Sequence, residues 1–378
     1  MVGRESVSSR LPSSIPGNRK RALFTTITLL GLAYAFYRGY LFPLASRLRD
    51  FDAWQTGDWL IDYSGGLVRR GLSGEIISLF APDGAAAISI VVTLQTALAA
   101  LLFALVATLY LLTDRSPVWT MLVLSPSFLL FLALDPLGNG RKELLVLVGL
   151  AIVALGGRLG KPRLGLLIAF PIFLLSVFVH EALVVTLPAF IYLIFKFVPP
   201  QEAWRLALAF GATAVAGVTL ALLRPGSRSV SERICETWNE RGIDDCGGAL
   251  AGMGTPIATE ALNLYSLMFP AYWSYLVPGV LALVPFFVIR FLPGDWIITI
   301  VLMLAVIPLF LVAWDYGRWI FLVASQLSII SLAQARSLQP MRLPMYAALA
   351  YVLLWGFDHV GQPVTLGLGV RWLSSVLG

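Results

Sequence analysis

Charge is the first thing this sequence is short of. Asp, Glu, Lys and Arg make up 13% of its 378 residues, where a soluble domain carries about 25%. With 58% hydrophobic residues, too little polar material remains to cover a water-exposed surface, which excludes an ordinary soluble enzyme. Cysteine is nearly absent as well: Cys235 and Cys246 permit one bridge at most. No CxxC pair, no metal-ligand spacing, no phosphate-binding P-loop and no GxSxG occurs, so zinc, ATPase and hydrolase-elbow chemistry have no support. His180-Glu181 does not open an HExxH zinc motif, because residue 184 is Val. The start shows no cleavable signal peptide: Arg4, Arg10, Arg19, Lys20 and Arg21 lead into an apolar run too long for an h-region, with no small-residue cleavage site.

Long apolar runs are what the chain does have. Residues 22–44, 86–112, 204–223, 295–313 and 343–356 are almost uncharged. About 20 apolar residues cross roughly 30 Å of hydrocarbon, and a backbone without water must satisfy itself as helix. The expected fold is an all-α polytopic membrane protein of about 11 transmembrane helices, at 22–44, 86–112, 118–134, 143–157, 164–179, 182–197, 204–223, 271–290, 295–313, 316–334 and 343–357. The stretch 164–197 is too long for one crossing at about 1.5 Å per residue and divides at His180-Glu181. The chain then reads as a basic N-terminus, 1–21, and a single transmembrane domain, 22–378, with external segments 45–85 and 224–262.

The net charge of +6 sorts by side. A cytoplasmic N-terminus collects Arg115, Arg158, Lys161, Arg163, Lys196, Arg205, Arg290, Arg336 and Arg342 on the inside, and leaves most acids outside. The excess is therefore a positive-inside signature, and nucleic-acid binding is not expected. The same alternation puts all the candidate chemistry on the outer side.

Five groups stand out there. The segment DFDAWQTGDWLIDYSGGLVRRGLSGE carries Asp58, Asp62, Arg69 and Arg70 among aromatics and glycines. Its Trp54, Trp59, Leu60 and Leu67 fit a helix lying in the membrane interface. Arg69-Arg70 can grip phosphate oxygens through their planar forks, or can simply neutralise aspartates and lipid headgroups. DPLGNGRKE joins two spans and opens a helix with Arg141 and Lys142, where terminal N–H groups also favour anions; snorkelling to the interface is the plain alternative. His180-Glu181 lies among apolar residues, where ionisable groups are costly and mark function. Asp315 and Arg318 are three apart and share a helix face, either as a self-neutralising pair or as an anion grip walled by Trp314, Tyr316 and Trp319. Asp358-His359 follows the last span and fits a solvated end. In the loop 224–262, a Cys235–Cys246 disulfide fits an oxidising compartment.

GGLVRRGLSGE after the first span, GRKE opening a middle helix with HE further on, and DYGRW before a late span together resemble bacterial surface-polysaccharide proteins. They are similar to O-antigen and exopolysaccharide repeat-unit polymerases, and the outline is similar to C-type glycosyltransferases. That resemblance implies transfer of a sugar chain from a polyprenyl diphosphate to a hydroxyl of a second lipid-linked sugar, at the outer face of the inner membrane. It implies Arg69, Arg70, Arg141 and Arg318 at the diphosphate, with Lys142 and Asp315 beside them. Glu181 or His180 is the first choice of base and Asp62 or Asp58 the second. The bilayer, a chain-length regulator and a flippase are the implied partners; no cofactor and no metal are called for. A transporter or flippase of a lipid-linked or anionic solute, and a non-catalytic subunit of an assembly complex, are the alternatives. Charges gathered at one side count against the transporter.

Overall fold

The computed structural model describes residues 15–254, 257–313 and 315–377. Arg4 and Arg10 of the basic N-terminus and Trp314 of the aromatic wall lie outside them. The chain is helical almost throughout, in line with the all-α expectation. Among the described residues the extended structure is β1 (Trp355–Gly356) and β2 (Thr365–Leu366), one antiparallel pair of two residues each.

The first helix, α1 (Ile15–Phe36), runs on through a π-helical turn, Tyr37–Leu41, and stops at Pro43, which has no N–H to continue it. Two short helices follow, α2 (Leu44–Arg49) and α3 (Gly71–Phe80). The long α4 (Gly84–Leu111) starts where the Asp83 side chain accepts from the Ala86 N–H at 2.8 Å, an N-cap. The bundle continues with α5 (Pro117–Val123), α6 (Phe131–Leu134), α7 (Glu143–Arg158), α8 (Pro162–Val179), α9 (Leu187–Phe197) and α10 (Pro200–Leu223). Then come α11 (Arg228–Glu240), α12 (Gly248–Ala251), α13 (Ile257–Val288), α14 (Phe291–Val312), α15 (Tyr316–Ala333), α16 (Met345–Leu354) and α17 (Leu368–Leu377).

Among the described residues four helices, α4, α8, α10 and α15, are long and apolar enough to cross a membrane unaided. The expected span at 118–134 is not one helix. It breaks after Val123 into turns and resumes as α6, because Pro126 removes a backbone donor and the Ser125 and Ser127 hydroxyls bond to each other at 2.8 Å. The whole of it is nonetheless buried in protein, a setting in which irregular backbone is tolerated at membrane depth. The division of 164–197 falls where the polar pair placed it. His180 is extended, Glu181–Thr186 forms a 3₁₀ turn, and α9 restarts with Pro188 in its first turn.

Two layers organise the molecule. At the centre, α7 packs against α4, α8, α9 and α15, and both α7 and α15 are buried around nearly their whole circumference. At the periphery, α10 exposes Leu208, Val215 and Leu222, and α14 exposes Ile297, Leu304 and Leu311. An apolar exposed face wrapped around a buried core is how a bundle meets lipid.

One end of the bundle carries a cap. Trp59, Ile61 and Val68 from the segment 45–85 share an apolar cluster with Ile234, Trp238 and Ile243 from the segment 224–262. Trp238 Nε1–H donates to the Leu60 carbonyl at 2.8 Å, the Arg69 N–H donates to the Arg224 carbonyl at 2.9 Å, and Cys235 is bridged to Cys246. This corrects the expected interfacial helix. Trp59 and Leu60 are buried against protein, while Trp54 and Leu67 stay exposed. An apolar residue gains as much from a second protein layer as from lipid, and the pattern alone does not distinguish them.

Candidate functional site

The turn before α7 is the centre of the capped end, and its sequence explains its shape. Asp135 Oδ1 accepts from the Gly138 N–H three residues on at 2.9 Å, closing the turn through the side chain. Asn139 donates to the Gly39 carbonyl at 2.8 Å. Gly140 has φ +72°, so the position needs the left-handed freedom of glycine. The segment 45–85 pins the turn: Trp59 Nε1–H donates to the Gly140 carbonyl at 3.1 Å, Gln55 donates to the Pro136 carbonyl at 2.7 Å, and Arg141 Nη1–H donates to the Trp54 carbonyl at 2.8 Å.

From this turn a network of charges spreads across four parts of the chain. Lys142, fully buried at the start of α7, lies 3.6 Å from the Asp58 carboxylate and donates to the Val179 carbonyl at 3.0 Å, where α8 breaks. Asp58 also faces Arg70 at 4.0 Å. Arg70 donates to Glu181 from Nη2 at 2.8 Å and from Nε at 3.0 Å, and Arg69 reaches the same carboxylate at 3.2 Å. One residue along α7, Glu143 accepts from Arg318, which also holds Asp315. Arg318 is close enough to interact electrostatically with both Asp58 and Arg70, so the two groups of ion pairs form one site.

The site has a floor and a rim. Lys142, Asp58, Glu143 and Arg318 keep side-chain exposures of 0%, 7%, 4% and 6%, whereas Arg69, Arg70, Glu181 and Asp315 keep 15%, 22%, 17% and 26%. Burial alone would push the Asp58 carboxyl up; Lys142, His180, Arg70 and Arg141 override it and hold the group well below the usual aspartate range. Arg70 sits at φ 65°, an unusual conformation for a residue with a side chain. Its fork is held in place by Glu181 and Asp58, which offsets a backbone cost of order 1–3 kcal/mol. On the floor and beside it, Arg141 Nε, Arg318 Nε, Arg47 Nη1 and Glu143 Oε2 are buried with no protein partner.

A second arm reaches the site from the C-terminal side. Asp358-His359 is not a solvated end: it lies between β1 and β2, and the pair folds back onto the bundle. The Asp135 Oδ2 atom accepts from the His359 backbone N–H and contacts His359 Nδ1, both at 2.6 Å. The Gly317 N–H at the start of α15 donates to the His359 carbonyl at 3.0 Å. A Cβ on Gly317 would strike the Asp358 carbonyl oxygen, so glycine is required for this approach.

The fold thus brings together Asp58, Arg69, Arg70, Arg141, Lys142, His180, Glu181, Asp315 and Arg318. Within that group the His180 imidazole has a structural task, accepting at Nδ1 from the Ala182 N–H at 3.3 Å to cap the 3₁₀ turn. Asp62 is not brought in. It accepts from Ser64 N–H and Oγ–H at 3.0 and 2.6 Å, and its charged neighbours are Glu75 and Arg241 of the cap. Burial raises its carboxyl, the Ser64 hydrogen bonds oppose that, and Glu75 adds to it. Sequence reasoning under-weighted Glu143, Asp135, His359 and Arg47. The acid in GRKE and the Asp-His dipeptide were visible signals, but their partners lie far along the chain.

The chain belongs to a membrane protein family: the model described as uncharacterised membrane protein Rv1490 matches residues 27–262. That stretch holds the cap, the turn before α7 and the His180-Glu181 break, and stops short of α15 and His359. No curated protein and no solved structure matches the chain.

Proposed function

We propose that this member of an uncharacterised membrane family is a glycosyltransferase of the polymerase type. It joins polyprenyl-diphosphate-linked sugar units at the outer face of the bacterial inner membrane, during surface-polysaccharide synthesis. The observation that carries the reading is the graded site. Arginines at the rim and on the floor surround a buried turn, and Arg141 Nε and Arg318 Nε are buried with no protein partner.

In this reaction the hydroxyl oxygen of an acceptor sugar attacks the anomeric carbon of the donor. The carbon–oxygen bond to the diphosphate breaks, its electron pair leaves with the diphosphate, and the hydroxyl proton passes to a base. Negative charge therefore grows on the leaving group, and fixed cations in a partly dry site stabilise it without reorganising. Arg141 and Arg318, with Arg69 and Arg70 at the entrance, fill that role. For the base, geometry favours His359 over the earlier choices. Glu181 is engaged by two arginines and holds their forks in place. His359 has Nδ1 against Asp135, the arrangement that orients an imidazole and leaves Nε2 for the proton. The basic residues at the far ends of α7, α9 and α15 support placing this site outside, by the positive-inside rule.

The test replaces Arg69, Arg141 and Glu181 singly with Ala in full-length protein, and assays membranes for extension of a lipid-linked oligosaccharide. Loss of polymer, with the protein present in the membrane at normal level, is the expected result. Full-length polymer from all three variants overturns the proposal.

A further inference from the structure

The helices that begin at the charged site end in a different setting. α7 finishes at Arg158, α9 carries Lys196 in its last turn, and Arg336 follows α15. Between these ends lies a cavity of about 180 Å³, lined by Arg158, Lys196 and Arg336 together with Phe197, Gln334 and Ser337, and by no carboxylate. We infer that this cavity binds the phosphate of an anionic lipid headgroup.

Three observations support the inference. Arg158 is 6% exposed, and while one of its terminal nitrogens donates to the Leu112 carbonyl, its Nε is buried without a protein partner. A cation that merely snorkels points outward into water and headgroups; this one is enclosed. Arg336 is close enough to repel Arg158, and among the described residues neither Arg336 nor Lys196 has an ion-pair partner. Of the acids at this end, Glu202 is bound by Arg163, Asp295 accepts from the Tyr192 hydroxyl at 2.7 Å, and the exposed Asp114 accepts from the Ser116 N–H at 3.2 Å and does not line the cavity. That same hydroxyl accepts from Gln334 at 2.8 Å, which anchors the cavity wall.

Helix-terminal carbonyls attract cations, and they account for the bond from Arg158 to Leu112. They do not account for two further cations left unpaired around a half-open pocket. An anion between them relieves the repulsion. A lipid suits the surroundings better than a free ion, because the exposed side chains of Leu159 and Phe195 lie next in sequence to lining residues and offer apolar surface for an acyl chain. Basic pockets between transmembrane helices are suited to anionic headgroups in this way.

The test uses the full-length protein in nanodiscs and measures retained lipid by native mass spectrometry. Phosphatidylglycerol is compared with phosphatidylcholine, and inorganic phosphate is added as a competitor. Wild type is expected to retain phosphatidylglycerol selectively. Replacing the exposed pair together, Lys196→Gln with Arg336→Gln, is expected to weaken retention about thirtyfold, taking the usual worth of a basic residue near an anionic surface. Arg205→Gln, on the same face but outside the cavity, is expected to leave it unchanged. Equal retention by the double variant and wild type overturns the proposal. An equal loss in Arg205→Gln also overturns it, because the attraction would then be diffuse surface charge. Displacement by millimolar inorganic phosphate would overturn the lipid as the source. None of these readouts depends on glycosyl transfer, so the result stands apart from the proposed enzyme activity.

Discussion

Asp58 and Asp62 lie four positions apart in one segment, both are buried, and their surroundings push them in opposite directions. Asp58 belongs to the charged site, where Lys142, His180, Arg70 and Arg141 overcome burial and hold the carboxyl low. Asp62 belongs to the cap, where burial is countered by little more than Ser64, and the carboxyl is raised. Burial is common to the two, so it is the company of cations that separates a site carboxylate from a structural one. The comparison also separates the two regions energetically. In the site each charge exists because another is there. In the cap the apolar cluster and the disulfide provide the stability, and the carboxylate is a cost.

The largest effect is expected at Asp58. Asp58→Asn leaves Lys142 fully buried without its carboxylate, and breaking a buried pair costs about 3–5 kcal/mol. Thermal unfolding of the full-length protein in detergent should show a clear fall in midpoint. Because the folded carboxyl is held low, its contribution is fully present above the unfolded pKa and is lost as pH falls through the folded one. The deficit of the variant is therefore complete at neutral pH and closes only in strong acid. An unchanged midpoint at neutral pH would break the contrast between the two regions.

The next effect probes the cap without touching the site's charges. Cys235→Ser opens the bridge to Cys246, eleven positions away, and a loop of that size is worth about 2–3 kcal/mol. The midpoint should fall by less than in Asp58→Asn. The cap also pins the turn before α7 through Trp59, so limited proteolysis should cut the segments 45–85 and 224–262 faster. Cleavage unchanged in both would show that the apolar cluster of Ile234, Trp238 and Trp59 holds the cap alone.

Much of this was legible in the sequence, for reasons that also define where legibility stopped. The break at His180-Glu181 was visible because two ionisable groups inside an apolar run must find partners. The site's basic members were visible because they cluster near the starts and breaks of helices. The Cys235–Cys246 bridge followed from there being two cysteines. What stayed hidden was pairing across distance. Glu143 meets Arg318 175 positions away, and Asp135 meets His359 224 positions away, and no local pattern encodes either. The broken stretch 118–134 was hidden for another reason. Hydropathy records how an apolar segment partitions, and a segment buried in protein reads the same as one buried in lipid. The same degeneracy sent Trp59 to the membrane interface when it belongs to the cap.

The smallest effect tests the comparison most closely, because it predicts a change of sign. Asp62→Asn keeps an acceptor for the Ser64 N–H and hydroxyl and removes the buried charge beside Glu75. A carboxyl whose folded pKa is raised binds its proton more tightly in the native state, so the wild type loses stability as pH rises from the unfolded to the folded pKa. At neutral pH the Asn variant should therefore equal or slightly exceed the wild-type midpoint. As pH falls through the raised value, the native carboxyl takes up its proton and the difference begins to close, vanishing below the unfolded pKa. The measurement is a pair of unfolding curves across that range, beside those of Asp58→Asn, where the carboxylate stabilises and its loss is felt most at neutral pH. A substantial loss of stability in Asp62→Asn at neutral pH would mean that Arg241 pairs with Asp62 strongly enough to make it a structural ion, and the line drawn between site and cap would have to move to include it.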